Sequence, residues 1–231
     1  TPLPQFYDLI TSGGEALSPW CWHARMALAH KGITVERHER CFTQKQELID
    51  KGGKSFPLLI DSDGSIHADS MDIILHLEES RPLPSLFPGG AATLAAYRFM
   101  HRYVQTILFP TVVSIILVDI PDTLEGDDKA YFIESREKRF GKSLAEVCAD
   151  RDTALKTLSV QLDPFRKAMA DGGYISGDAP AMPDYLLFGV LQWARVVSPV
   201  QLVEADDAIA TWMESMLDLF EGLGRTAAAR G

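Results

Sequence analysis

Paired cysteine is the first thing missing. The 231-residue chain has three cysteines, Cys21, Cys41 and Cys148, in neither a C-x-x-C pair nor a zinc spacing with the six scattered histidines. No disulfide framework and no metal are expected, and a reduced cytoplasmic protein is the simplest reading. Positive charge is also short: 22 Lys+Arg stand against 32 Asp+Glu, a net charge of −10. With no local basic stripe, nucleic acid is not an expected partner. Long hydrophobic runs are scarce too. The longest, TVVSIILV at 111–118, falls far short of a membrane span, and the first thirty residues lack the basic start and apolar block of a leader. Neither a targeting segment nor a membrane partner is expected.

Several catalytic signatures are absent. H-E-x-x-H, G-x-S-x-G and G-x-G-x-x-G do not occur, so zinc peptidase, serine hydrolase and dinucleotide readings have no anchor. GGKS at 52–55 imitates the end of a phosphate loop. Leu48 stands where that motif needs glycine, and Phe56-Pro57 begins a strand where it needs a helix.

What is present is a change of period along the chain. QFYDLI at 5–10 reads as a strand, and 19–31 as a helix opened by Pro19 and closed by Gly32. ITVERH at 33–38 reads as a second strand and 44–51 as a short polar helix. PLLID and SIHA, joined across Asp63-Gly64, form a hairpin pattern, and helical spacing returns from Asp69 to Glu79. The order is βαβαββα. RPLPSLFPGG at 81–90 holds three prolines and two glycines and reads as a linker. Beyond it, 91–118, 128–149, 152–170, 183–198 and 206–221 are helical in period, with Pro110 and Pro164 expected to kink or interrupt their helices. The expected organisation is an α/β domain over 1–80, a linker over 81–90 and an all-α domain over 91–231.

Ser18-Pro19, inside ALSPWCWHAR, has two readings. Serine at the N-cap and proline at the first helical position make a sound helix start. A reciprocal capping box would want Glu or Gln where Cys21 stands, so the purely structural signal is incomplete. The same geometry suits an anion: a helix N-terminus carries about half a positive charge, and a hydroxyl beside it can donate. Serine has no base in sequence reach, so it would serve a thiolate supplied by another molecule.

With S-P at the first helix, X-Pro before the hairpin, D-S at the third helix and an all-helical second half, the chain resembles the cytosolic glutathione S-transferases over essentially its whole length. The resemblance implies a thioredoxin-like glutathione-binding domain, a helical electrophile-binding domain, glutathione as co-substrate and a homodimer. It implies that Ser18 holds the glutathione sulfur, that Phe56-Pro57, with Ser55 beside it, is the cis-proline segment pairing with the cysteinyl backbone, and that Asp69-Ser70 binds the γ-glutamyl end. Leu17, Tyr97, His101 and Trp193 are candidates for the electrophile's surroundings. Tyr7, mid-strand, reads as a packing residue. Ala181 departs from the family's Ser/Thr cap although Asp184 is retained, which removes about 1 kcal/mol of capping unless something else supplies it.

SPWCWHARMALAHKG, GGYISGDAPAMPDYLLFGVLQWARVVSP and LFEGLGR look most like the bacterial β-etherases and fungal etherase-like transferases, which displace a phenol beside an aryl ketone with glutathione. Two alternatives stay open: a glutathione-dependent thiol reductase acting through Cys21, and a non-enzymatic carrier of aromatic ligands.

Overall fold

The computed structural model describes residues 2–231. The first domain is built on β1 (Gln5–Leu9), α1 (Pro19–His30), β2 (Glu36–Arg40), α2 (Lys45–Asp50), β3 (Leu58–Ile60), β4 (Ile66–His67) and α3 (Ser70–Ser80). Its sheet has the order β2-β1-β3-β4, with β1 parallel to β2 and antiparallel to β3, and β3 antiparallel to β4. This is a thioredoxin-like domain with the expected element order. β2 lies later than its apolar residues suggested. Ile33 and Val35 pack against the core, while pairing with β1 runs from Gln5↔Glu36 to Leu9↔Arg40, so backbone register carries the strand into charged residues. Those charges find partners: Arg37 donates to the buried Asp8 at 2.8 Å, and Arg40 to Glu47 at 2.6 Å.

The second domain is helical: α4 (Ala91–Tyr103), α5 (Phe109–Ile116), α6 (Gly126–Phe140), α7 (Leu144–Val147), α8 (Arg151–Gly172), α9 (Met182–Val197) and α10 (Ala208–Gly222). A π turn at Val104–Leu108 joins α4 to α5 immediately before Pro110, which is where proline's missing amide must break the regular ladder. Pro164 does not interrupt α8; Val160, whose carbonyl loses that donor, lies 75% exposed on the solvent side. The helical pattern expected over 128–149 is two helices. Gly141 turns left-handed at φ 67°, and Ser143 with Glu146 forms a reciprocal capping box that starts α7. The short apolar run at 111–118 also proves part of something longer: Ala91–Thr123 is one continuous helical stretch of 33 residues, long and apolar enough by composition to cross a membrane. Here Val112, Val113, Ile115 and Ile116 are buried in the protein core.

α9 is buried along nearly its whole length, because helices of both domains surround it. Its start lacks a capping side chain at Ala181, and Asp184 compensates. This fully buried carboxylate accepts from the amides of Ile175, Ser176 and Ala181 and from the Trp212 indole, at 2.8–3.2 Å. Four donors on one carboxylate satisfy a charge that would otherwise be costly to bury.

α1 packs against α9 at Gly189. A Cβ there would collide with the His23 ring and lie 2.8 Å from the Pro19 carbonyl oxygen. His23 is fully buried, bonds Leu186 O through Nε2 at 2.9 Å, and is held neutral by burial, with its pKa lowered to about 3. Gly189→Ala should therefore destabilise the protein by roughly 1–3 kcal/mol, seen as a lowered Tm. The unfolded chain protonates His23 near 6.5 and the native protein only near 3, so stability is highest above 6.5 and falls as pH drops through that window. Equilibrium unfolding between pH 7 and 4 should show a shallower loss for His23→Gln than for the native chain.

Candidate functional site

Ser18 is the N-cap of α1, in extended backbone, and is 5% exposed. Its Oγ accepts from the Cys21 amide at 3.3 Å, sits close enough to the Cys21 thiol to favour that thiol's ionised form, and donates to no protein oxygen or nitrogen among the described residues. Pro19 has no amide, and Cys21's goes to Ser18. The amides of Ser18 and Trp20 and the Ser18 hydroxyl are thus the donors left at the helix tip. The loop is held from behind: Leu17 N donates to Leu9 O at 3.1 Å, and the Trp22 indole to Ala16 O at 2.8 Å.

This tip opens on a cleft with two arms. One, of about 300 Å³, is lined by Leu17, Ser18, Phe42, Phe109, Phe132 and Trp193, among others. The second, of about 510 Å³, is polar and takes in Asp69, Ser70, His101, Arg102 and Gln105. Trp20, Ser55 and Phe56 line both, so the arms meet beside Ser18. The Phe56–Pro57 bond is cis. At α3 the Asp69 carboxylate caps the helix by accepting from Asp72 N at 2.8 Å, while Ser70, directly after it, is buried and lines the polar arm.

The candidate residues therefore separate. Ser18, Leu17 and Trp193 are on the aromatic arm, Asp69, Ser70 and His101 on the polar arm, and Ser55 and Phe56 on both; Pro57 is buried beneath. His101, expected near the electrophile, instead faces the polar arm, its pKa lowered by burial. Tyr97 lines neither arm. It is 1% exposed, packs on Phe87 with ring centroids 4.6 Å apart, and has its phenol pushed up by burial, so it is a core residue, as helical spacing alone most often means.

Trp20 and Phe109 shape the wall more than the residues singled out from sequence: Phe109 stacks on Trp193 with centroids 5.1 Å apart and packs against Trp20 at 5.2 Å. Phe109-Pro110 was legible as a helix interruption, but only the fold turns it towards Ser18. Lys45, Arg136 and Arg139 on the aromatic arm were not foreseen either. No group of three or more His, Cys, Asp or Glu among the described residues could hold a metal.

Cys21 points into the core, 0% exposed, and its thiol is pushed well up by burial and by the Asp8 carboxylate. A neutral buried thiol is a poor nucleophile.

Sequence models described as "Glutathione S-transferase, N-terminal domain" and "Glutathione S-transferase, C-terminal domain" match residues 17–80 and 95–219. The chain is 25% identical over 138 residues to the glutathione S-transferase-like protein ustS of Aspergillus flavus, a match covering 55% of this chain and 50% of that protein. It thus spans about half the length of the curated relative it matches. Among solved structures, glutathione transferase GSTFuA3 from Phanerochaete chrysosporium superposes with a TM-score of 0.80 at 22% identity, over 95% of this chain and 96% of that one. The glutathione S-transferase CsGST63524 of Ceriporiopsis subvermispora, in complex with glutathione, gives 0.76 at 22% identity over the same shares. These likenesses concern the fold.

A thiol reagent added to the native protein should titrate at most Cys41, the half-buried cysteine, with Cys21 and Cys148 appearing only in denaturant. Rapid modification of Cys21 in the native state would contradict its burial.

Proposed function

Because the chain belongs to the glutathione S-transferase family, we propose that it binds glutathione across the two arms, with Ser18 keeping the tripeptide's sulfur ionised for attack on an electrophile in the aromatic arm. The observation that carries this reading is a Ser18 hydroxyl that donates to no protein oxygen or nitrogen among the described residues, at a helix tip on the cleft wall. A thiol of pKa near 8.5 is only a few per cent ionised at pH 7, and lowering it by about two units is worth roughly 2.7 kcal/mol. A charge-assisted hydrogen bond with the partial positive charge of the helix supplies energy of that order.

In this reading Phe56 presents backbone to the cysteinyl unit beside Pro57, with Ser55 adjoining. The Ser70 amide and hydroxyl meet the γ-glutamyl carboxylate, and Asp69 its ammonium. The thiol proton goes to solvent, the C–S bond forms, and the leaving group departs with its bonding pair. The aromatic lining suits an aryl electrophile, and displacement of a phenolate beside an aryl ketone is the specific reaction we assign within that class. A homodimer belongs to the same proposal. Reduction through Cys21 is disfavoured by that residue's burial, and a purely carrying role gives no use for an ionising helix tip.

Ultraviolet titration of the bound thiol tests the reading. In Ser18→Ala the thiolate transition should move up by about one to two pH units, and kcat/KM should fall roughly 10- to 100-fold, while Cys21→Ala should keep the thiolate transition near its original pH. An unchanged transition in Ser18→Ala would remove Ser18 from the chemistry. Incubation with an aryl ether ketone and glutathione should release phenol; conjugation of a chloronitroaromatic without phenol release would leave a transferase of a different specificity.

A further inference from the structure

The aromatic arm has a charge pattern that an apolar electrophile would not need. Lys45, Arg136 and Arg139 all line it and no acidic residue does, in a chain whose net charge is −10. Among the described residues none of the three has a carboxylate within ion-pair distance, although Arg40, Arg81, Arg151, Arg166 and Arg225 all do. Arg136 is the most constrained. Its guanidinium lies 4.5 Å from the Phe132 ring centroid and 5.1 Å from that of Phe42, and it donates only to Ser135 Oγ, at 2.9 Å. Nε and Nη2 have no protein acceptor among the described residues. Burial, with the neighbouring charge of Arg139, lowers its pKa to about 10, as expected for a cation that lacks an anion. Arg139 follows three residues later, on the same face of α6.

We propose that the aromatic arm selects electrophiles that are themselves anions, aryl compounds carrying a carboxylate, which the free edge of the Arg136 guanidinium and the Arg139 charge hold while Ser18 serves the sulfur. A flat guanidinium packed against two adjacent rings offers a planar fork to a carboxylate, and the same rings take the aryl body. The inference rests on the transferase reading and adds the substrate's charge to it. Glutathione's glycyl carboxylate is the other anion within reach of this cleft, so the experiment must separate the two.

The test uses two aryl chlorides that differ in charge, para-chloro-meta-nitrobenzoate and its methyl ester, each with glutathione. In both, the thiolate forms the C–S bond at the ring carbon, chloride leaves with the bonding pair, and the thiol proton passes to solvent. Rates are divided by the uncatalysed rate, because the ester's ring is intrinsically more reactive. The native protein should prefer the benzoate about tenfold or more in normalised kcat/KM. Arg136→Gln should reduce that preference roughly tenfold through a raised KM for the benzoate, as loss of a hydrogen bond to a charged group does, and Arg136→Lys should restore part of it. Arg139 is exposed, so Arg139→Gln keeps the test open if the Arg136 variants fail to fold; it should reduce the preference in the same direction.

Ester and benzoate turned over alike by the native protein would overturn the proposal and leave the transferase reading standing. A loss in both variants that is equal for the two electrophiles and follows a raised KM for glutathione would assign the cations to the tripeptide and overturn it as well. Turnover of neither by the native protein would overturn the proposal, and no phenol release from the aryl ether ketone as well would sink the transferase reading with it.

Discussion

The close approach of α1 to α9 fixes where the α1 tip points, and the rest of the cleft is arranged around that tip. The approach exists because residue 189 is glycine: any side chain there would push against the His23 ring and the Pro19 carbonyl. His23 answers by bonding the Leu186 carbonyl inside α9, so a helix of the first domain is tied to the core helix of the second. Trp20 stands within one turn of that tie and Ser18 within two. A shift of α1 would move the Ser18 hydroxyl and the wall between the two arms together. α9 in turn is anchored at its start by Asp184, whose four donors come from the preceding loop and from α10.

At the helix tip one side chain serves the fold and, in the proposed function, the chemistry as well. Capping alone asks only that Ser18 Oγ accept from an amide, which it does. The acceptance uses one lone pair of the oxygen and leaves its hydrogen free to turn toward another acceptor. Proline at the first position removes an amide that would have competed for an incoming anion, and this makes the hydroxyl a larger share of what the tip offers. In the proposed function the structural and the chemical readings of Ser18-Pro19, alternatives in the sequence, are the two sides of one oxygen.

Much of the first domain was legible because its signals are local. Pro19 and Gly32 bracket α1, Asp63-Gly64 turns the hairpin, and Asp69 caps α3, each through contacts within a few residues. β2 was displaced because register is set by β1, a neighbour distant in sequence. In the second domain the helices could be read from their period, while their facing could not. Tyr97, Met100, His101 and Val104 recur at helical spacing, yet Tyr97 turns into the core and His101 into the polar arm. The S-x-x-E at 143–146, with Gly141 ahead of it, was a sufficient local signal for the break between α6 and α7. Phe132 is a local neighbour of Arg136 on α6, but nothing local marks Arg136 as a cleft residue, because the second ring, Phe42, comes from the turn before α2.

That last junction leaves cations unpaired on the cleft wall of an acidic protein. Its buried carboxylates are taken up in holding the fold. Asp8 receives Arg37, Asp61 receives Arg81 and His76 and is held well below the usual carboxylate range, and Asp184 receives its four donors. Asp128 belongs to this group and acts nearest the cleft. From the first turn of α6 it accepts the amides of Phe42 and Thr43, at 3.2 and 2.9 Å, and so pins the 3₁₀ turn at Phe42–Gln44 against α6. Phe42 is thereby set beside Phe132, with ring centroids 5.5 Å apart, and the two rings receive the Arg136 guanidinium. A carboxylate engaged by backbone amides thus builds the aromatic setting of a cation that it does not pair, and the charge of Arg136 stays available to whatever enters the arm.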